Sequence, residues 1–231
     1  MATCDANYCF TSIHVGDYES LPDSSVFSAT EFGQAVENDT LNAPPPSPLP
    51  GTDIMMPYFL VGDEIFPLRH NLMRPYSRRN RLTETQRIYN YRHSRPRRVI
   101  ENAFGILTTR WRILRTTVAL LPHLVENIVY ATVCLHNFIM KREQHQQGFK
   151  QYCPPAYVDQ EDGNRHIIPG EWRNDAQALN IQNLHRVGGN RAGAATVNQR
   201  DILADYLANH EEGQVPWQWS VVFRGRNINV P

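Results

Sequence analysis

The segment from Arg92 to Arg115, RHSRPRRVIENAFGILTTRWRILR, constrains the fold more than any other part of the sequence. Its apolar residues recur at steps of three and four, which is the spacing of one buried face of an α-helix. The residues on this face are Ile100, Phe104, Leu107, Trp111 and Leu114. Thr83 and Gln86 form a capping box that predicts an earlier helix from about Glu84. Pro96 predicts an interruption, with a fresh helix starting there.

The same region is strongly basic although the chain as a whole is neutral. Residues 69–115 contain thirteen arginines and two acids, Glu84 and Glu101, whereas the whole chain has 23 basic and 23 acidic residues. A local basic surface is typical of a protein that meets a polyanion, and arginine pairs bidentately with phosphate. The predicted phosphate-binding residues are Arg92, Arg95, Arg97 and Arg98.

Glu101 stands alone among these arginines, and two explanations are open. A bound metal ion would explain a single carboxylate on a basic surface. The alternative is an ion pair with Arg97 or Arg98 on the same helix, which is the usual state of a helical glutamate.

The remaining patterns predict a mixed α/β domain. Residues 3–15 and 57–63 have the β-branched and aromatic content of strands. Ser28 and Glu31 form a capping box that predicts a helix to about Asn38. Pro122 opens a further helix, and a last short helix covers 200–210. The face that we expect to be buried on the helix after Pro122 carries Leu124, Ile128, Ala131, Leu135 and Phe138.

Composition along the chain predicts three segments. Residues 1–142 form the main domain, 143–195 form a polar, partly disordered loop, and 196–231 form a terminal helix followed by a docking segment with two tryptophans. No apolar run reaches the ~20 residues of a membrane span, so we expect a soluble intracellular protein with no membrane partner. Cys4, Cys9 and His14 alternate in direction along a strand, which argues against a metal site there.

Three acids lie at the junctions of the predicted elements. Asp23 precedes a helix, Asp63 ends a strand, and Glu101 lies on the basic helix. Taken singly, the two aspartates are ordinary turn or cap residues. Together, the three carboxylates would suit divalent ions that act on phosphodiesters, because Mg²⁺ takes one or two protein carboxylates plus phosphate oxygens.

Several motifs together resemble one family. PYFLVGDEIFPL, NLMRPY, LTETQRIYNYRHSRPRRVIENAFGILTTRWRIL and LHNFI are similar to the catalytic domain of Harbinger-type DDE transposases and the nucleases derived from them. The resemblance covers about Thr3 to Arg142 and returns at RDILADYL and VPWQW. Within it, His136 and Asn137 of the LHNFI motif are interpreted as a buried structural pair.

The resemblance implies a ribonuclease H-like fold, with a mixed sheet flanked by helices, and cleavage of DNA by divalent metal ions, Mg²⁺ or Mn²⁺. It implies that Asp63 and Glu101 are catalytic and that Asp23, Asp63 and Glu101 hold the metal. The implied partners are double-stranded DNA and a separate DNA-binding protein. The implied location is the nucleus, with the cytoplasm as an additional location.

One motif of the family has no counterpart in the sequence. The family's first aspartate lies on a strand that would precede Met1, and Asp5 matches a later strand of the pattern. We therefore expect a truncated member that lacks the first central strand and shows little or no cleavage of DNA by itself. Two alternatives remain open: a catalytically inactive remnant that binds DNA or a partner protein, and a structural domain whose arginines bind an acidic protein.

Overall fold

The structure is a computed structural model that describes residues 1–16, 23–146, 150–174 and 192–224, with the side chains of residues 23–25 also outside the description. The chain divides into two compact units. The first unit comprises Met1–Leu21 and Arg98–Asn183, and the second comprises Pro22–Arg97 and Leu184–Pro231. The division into three segments that the sequence predicted stays a prediction.

Helices and short strands alternate along the described residues. The helices are α1 (Asp23–Ala29), α2 (Glu31–Glu37), α3 (Glu84–Arg110), α4 (Pro122–Gln144), α5 (Ala194–Asn209) and α6 (Gln218–Val222). The strands are β1 (Ala2–Cys4), β2 (Phe10–Ile13), β3 (Ser47–Pro48), β4 (Met55–Met56), β5 (Leu60–Val61), β6 (Leu72–Met73), β7 (Gln160–Glu161) and β8 (Ile167–Ile168). Three short 3-10 helices among these residues cover Arg112–Arg115, Pro155–Tyr157 and Glu171–Asn174.

The predicted α/β class is confirmed. Within the described part of the chain the strands form four two-stranded sheets, of which β5–β6 is parallel and the others are antiparallel. The larger ribonuclease H-like sheet stays a prediction. In the same part of the chain, no helix is long and apolar enough to cross a membrane.

The core of the first unit uses the apolar face that the sequence predicted on α3. Phe10 of β2 packs in one buried cluster with Ala103, Leu107 and Val133. Ile100, Phe104, Trp111 and Leu114 pack against this cluster from partly buried positions. The spacing of apolar residues therefore identified the correct face of this helix.

The buried face predicted for α4 was wrong. Leu124, Leu135 and Phe138 are 39%, 45% and 64% exposed, respectively. The buried residues of α4 are instead Thr132, Val133, His136, Met140 and Glu143. Polar contacts select this face, because the Asn137 amide accepts a hydrogen bond from the Phe10 N–H and donates one to the Phe10 carbonyl, both at 2.8 Å. His136 and Asn137 thus form the structural pair that the sequence predicted.

Two helix boundaries differ from their predicted positions. The cap of α2 is Thr30, whose hydroxyl accepts the Gly33 N–H at 2.9 Å, so the predicted capping box at Ser28 was wrong. Pro96 lies inside one continuous α3 and starts no new helix. Proline removes one backbone donor, but packing of Ile88 before it and Leu107 after it keeps both parts of the helix in buried clusters. The predicted capping box between Thr83 and Gln86 is confirmed in both directions, at 3.1 and 3.2 Å.

The core of the second unit joins α3 to α5. The buried cluster contains Met56, Tyr76, Tyr89, Leu203, Ala204 and Tyr206. In a neighbouring buried cluster, Trp219 packs with Ile88 and Ala208. Helix α5 begins at Ala194, six residues earlier than the sequence predicted.

Candidate functional site

Asp63 follows β5 in the second unit and is held by two hydrogen bonds. Its Oδ1 accepts the N–H of Glu64 at 2.6 Å, and its Oδ2 accepts from Arg97 Nη2 at 2.9 Å. The ion pair is partly open to solvent, with side-chain exposures of 30% for Arg97 and 41% for Asp63. The preceding Gly62 donates its N–H to the Met73 carbonyl, so the end of the parallel strand pair fixes the backbone at this carboxylate.

Glu101 lies on α3 in the first unit, and its carboxylate is 39% exposed. Its Oε2 accepts from Arg173 Nη2 at 3.3 Å. The next residue, Asn102, is buried and accepts from Trp172 Nε1 at 2.9 Å and from the Asp159 N–H at 3.2 Å. The helix turn that carries Glu101 is therefore anchored to the segment that contains Asp159 and Arg173.

Arg173 makes stronger contacts with Asp159 than with Glu101. Its Nε and Nη2 donate to the two Asp159 oxygens at 2.8 and 2.6 Å, and its guanidinium lies 4.2 Å from the centre of the Trp172 ring. The Asp159 side chain is 2% exposed. Burial opposes the charged form, but hydrogen bonds from Arg173 and Gly170 hold the pKa of Asp159 below its usual value.

Close packing brings this cluster against α3. A Cβ added to Gly105 would come within 2.3 Å of the Trp172 ring, so only glycine permits the contact. Neither Asp159 nor Arg173 was identified from the sequence. Both fall in the polar segment 143–195, where no periodic pattern marks a charged pair.

The four predicted phosphate-binding arginines all have contacts within the protein. Arg97 pairs with Asp63, as described above. Arg98 Nη2 pairs with Glu161 at 3.1 Å, and both side chains are largely buried. The geometry therefore gives Arg98 a structural contact in the first unit, and its contact with phosphate stays a prediction.

Arg92 and Arg95 contribute to the second unit. Arg92 Nη1 donates to the Gly213 carbonyl and to Gln218 Oε1, both at 3.1 Å. The Arg95 guanidinium lies 5.9 Å from the ring centres of both Tyr91 and Trp217, within the range of a cation–π contact. Arg95 is partly exposed, so its charge faces solvent as well as the rings.

Sequence reasoning overlooked a more exposed group of arginines just before α3. Arg78, Arg79 and Arg81 are all exposed. The run RRNR was visible in the sequence, and its position before the Thr83 cap places it outside the helix. These side chains are open to a polyanion without breaking a buried contact.

The donor set fits a hard cation only in part. Carboxylate oxygens are the ligands that Mg²⁺ and Mn²⁺ prefer, and Asp63 and Glu101 both keep solvent exposure. However, an arginine neutralises each carboxylate, and among the described residues no three His, Cys, Asp or Glu side chains cluster. The Asp23 side chain lies outside the described residues. Asp63 and Glu101 fall in different units, so their predicted convergence stays a prediction.

Comparison with known proteins identifies the family. The family model described as DDE superfamily endonuclease matches residues 1–137, which is more than half of the chain. The chain therefore belongs to the DDE superfamily endonuclease family, and this membership indicates a transposase-type nuclease. Comparison with curated proteins and with solved structures gave no match.

Proposed function

We propose that this protein is a metal-dependent DNA endonuclease of the Harbinger transposase-derived type. The observation that supports the proposal is the family match, whose span includes both Asp63 and Glu101. Glu101 lies on the long helix α3, and Asp63 lies two residues after β5, where the Gly62 N–H is bonded to the Met73 carbonyl. Helices hold ligands more rigidly than loops do.

In this proposal Asp63 and Glu101 are the catalytic acids and bind the divalent cation, Mg²⁺ or Mn²⁺, with Asp23 as a further ligand. When bound, the metal activates the attacking oxygen and stabilises the leaving oxygen of the phosphodiester. The protein itself orients the carboxylates. Arg97 pairs with Asp63, and Arg173 contacts Glu101, so each arginine offsets the charge of a carboxylate that would hold the cation.

The proposed substrate is double-stranded DNA, bound through arginines with little sequence preference. Arg78, Arg79 and Arg81 are exposed and Arg95 is partly exposed, so solvent reaches all four side chains. Phosphate contacts carry no base information, so a separate DNA-binding protein would supply the target site. We propose the nucleus as the location, because this is where such a substrate resides.

Nicking of supercoiled plasmid tests the function. Because little or no cleavage is expected from the chain alone, the assay uses excess protein and scores how any nicking depends on residues and on metal instead of its rate. The proposal predicts nicking in Mg²⁺ or Mn²⁺ that is lost in Glu101→Gln and in Asp63→Asn. Each change keeps the shape of the side chain but removes the negative charge that binds the cation.

Glu84→Gln is the matched control, because Glu84 is an exposed acid on the same helix as Glu101. It should nick as the unmodified protein does. Nicking that survives in both Glu101→Gln and Asp63→Asn would contradict the proposed site. Absence of nicking together with intact DNA binding would reject the endonuclease and favour a DNA-binding protein without catalysis.

A further inference from the structure

Helix α4 carries an exposed row of apolar side chains, which we call the α4 stripe. Leu121, at the helix cap, and Phe138 are 63% and 64% exposed, and Leu124 and Leu135 between them are also exposed. Single exposed apolar residues are ordinary on a protein surface, but a contiguous group of them marks an interaction site. The α4 stripe consists of Leu121, Leu124, Ile128, Ala131, Leu135 and Phe138.

The spacing of the α4 stripe is typical of paired helices. Its residues follow one another at alternating steps of three and four, which is the repeat of two helices that pack along their length. The buried residues of α4, among them Thr132, His136 and Met140, lie on a different face of the helix. Helix α4 therefore has one face that packs within the first unit and a second face that is suited to another helix.

The charges of α4 narrow the choice of partner. From Pro122 to Met140 the helix contains one Asp, Glu, Lys or Arg, which is Glu126, and this residue is partly buried. Such a surface does not attract a polyanion. A helix that lies on a membrane needs basic residues on its free polar face, whereas the second face of α4 is buried in the protein. The partner that fits is another apolar helix.

We propose that the α4 stripe binds the α4 stripe of a second copy of this chain, with the two helices antiparallel. In a twofold dimer the same surface occurs on both protomers, so it has to be complementary to itself. The antiparallel arrangement meets this condition, because it places Leu135 opposite the partner's Ala131 and Phe138 opposite the partner's Ile128. The inference goes beyond the proposed endonuclease activity and does not depend on it.

Two features favour the antiparallel arrangement over a parallel one. A large side chain opposite a small one fills the space between two helices, whereas a parallel pair would set Ala131 opposite the partner's Ala131 and leave a gap. The exposed cations Lys141 and Arg142 lie at one end of the helix, so a parallel pair would also bring like charges together. In the antiparallel pair the two copies of Arg142 are about 27 Å apart along the helix axis, at a rise of 1.5 Å per residue, and charges at this distance are screened.

Sedimentation equilibrium of the whole chain tests the proposal. With rising protein concentration the mass should approach twice the 26.6 kDa of one chain and then stay constant. Leu135→Glu and Phe138→Glu should each weaken dimerisation at least about tenfold, because each places an unpaired charge in the apolar interface. Ile168→Glu is the matched control and should dimerise as the unmodified protein does, since Ile168 is 50% exposed in the first unit but lies outside α4.

An exchange of a large and a small residue tests the antiparallel arrangement. Ala131→Leu should weaken the dimer by crowding it, and Leu135→Ala should weaken it by leaving a gap. The double variant again sets a large residue opposite a small one, so it should dimerise at least about fivefold more tightly than either single variant. A double variant that is as weak as the single variants would overturn this arrangement.

Cross-linking gives a measurement that needs no change in the α4 stripe. The exposed thiol of Cys134 lies next to Leu135, close to the twofold axis of the proposed dimer. A short bismaleimide should therefore join two chains of the unmodified protein, and Cys134→Ser should abolish this product on denaturing electrophoresis. Circular dichroism identifies any variant that fails to fold, and the mass and cross-linking of the unmodified protein then decide the question.

The same measurements distinguish the other occupants of the α4 stripe. A monomer at every concentration would overturn the proposal. If that monomer cosediments with phosphatidylcholine vesicles, the stripe binds lipid, and if it does not, the stripe belongs to an interface with a different protein. Dimers that persist in both glutamate variants would overturn the proposal by placing the interface elsewhere. A mass that keeps rising with concentration would overturn it in favour of non-specific aggregation.

Discussion

The two candidate catalytic acids differ in what their arginines do. In the second unit, Arg97 Nη2 lies 2.9 Å from Asp63, and this ion pair is half open to solvent. In the first unit, Arg173 makes two short hydrogen bonds to the buried Asp159 and one longer contact, at 3.3 Å, to Glu101. Arg97 thus pairs closely with its catalytic candidate, whereas Arg173 is mainly the partner of another residue.

This difference indicates which carboxylate is more available to a cation. Asp159 keeps Arg173 in place, so Glu101 can exchange its weak contact for a metal without disturbing the core of the first unit. Asp63 can bind a cation only if its direct ion pair with Arg97 breaks. The expectation is that Arg173 matters mostly for stability and Arg97 mostly for metal affinity.

The largest expected effect is therefore on the stability of the first unit. Arg173→Ala removes two hydrogen bonds from the Asp159 carboxylate, whose side chain is 2% exposed. Arg173 itself is 37% exposed, so the applicable cost is that of a buried acceptor left without its donor, about 1–3 kcal/mol, and the free energy of unfolding in urea should fall by about this much. Arg112→Ala, at an exposed position of the same unit, should change it by less than about 0.5 kcal/mol. Equal stability of the two variants would contradict the proposed role of Arg173 in stabilising the first unit.

The stability of the first unit should depend on pH through Asp159. The pKa of Asp159 is lowered in the folded protein, so this carboxyl stabilises the fold at pH values above its unfolded pKa of about 3.9. That stabilisation is lost as the pH falls below about 4 through the folded pKa. Unfolding midpoints between pH 6 and pH 2 should therefore fall less steeply for Asp159→Asn than for the unmodified protein. The same steepness in Asp159→Asn and in the unmodified protein would contradict this role of Asp159.

DNA affinity should depend on the exposed arginines of the second unit. Replacing Arg78, Arg79 and Arg81 by glutamine removes up to three phosphate contacts, each of which contributes about 0.9 to the slope of log affinity against log salt concentration. The slope should become shallower by about 2–3, with weaker binding at low salt, as measured by fluorescence anisotropy on duplex DNA. Arg112→Gln, in the first unit, is the single-site control for the change in this slope. An unchanged slope in the triple variant would exclude this surface from DNA binding.

The smallest expected effect concerns Arg97. Arg97→Ala removes a half-exposed ion pair, so stability should change by less than about 1 kcal/mol. Removing the positive charge beside Asp63 should strengthen Mn²⁺ binding about three- to tenfold, since two unit charges 4 Å apart interact by about 1 kcal/mol in water. Calorimetric titration measures the change. Weaker Mn²⁺ binding in Arg97→Ala would mean that Arg97 supports the metal site and does not compete for it.

Local sequence patterns predicted the positions of the long helices well. They predicted the buried face of a helix correctly only where apolar packing alone determines that face. The Thr83–Gln86 capping box and the apolar stripe of α3 are both local signals, and both are confirmed. The face of α4 failed because the Asn137 amide pairs with the backbone of Phe10, 127 residues away in sequence. No spacing rule within the helix contains that information.

The same reasoning applies to the site. Asp63 and Glu101 could be nominated because each lies in a short motif with a fixed order of neighbours. Arg173 lies 72 residues beyond Glu101, in a polar segment without periodicity, and only the folded unit brings the two together. The sequence offered Arg97 or Arg98 as the helical partner of Glu101. In the structure, Arg97 instead pairs with Asp63, Arg98 pairs with Glu161, and Glu101 pairs with Arg173.

Binding of Mn²⁺, followed by electron paramagnetic resonance, tests the central claim most directly because it does not depend on catalytic rate. The claim is that Asp63 and Glu101 bind the cation. The unmodified protein and the Glu84→Gln control should bind Mn²⁺ with the same affinity, and Asp63→Asn and Glu101→Gln should each bind it at least about tenfold more weakly. Equal Mn²⁺ affinity in all four proteins would contradict the account.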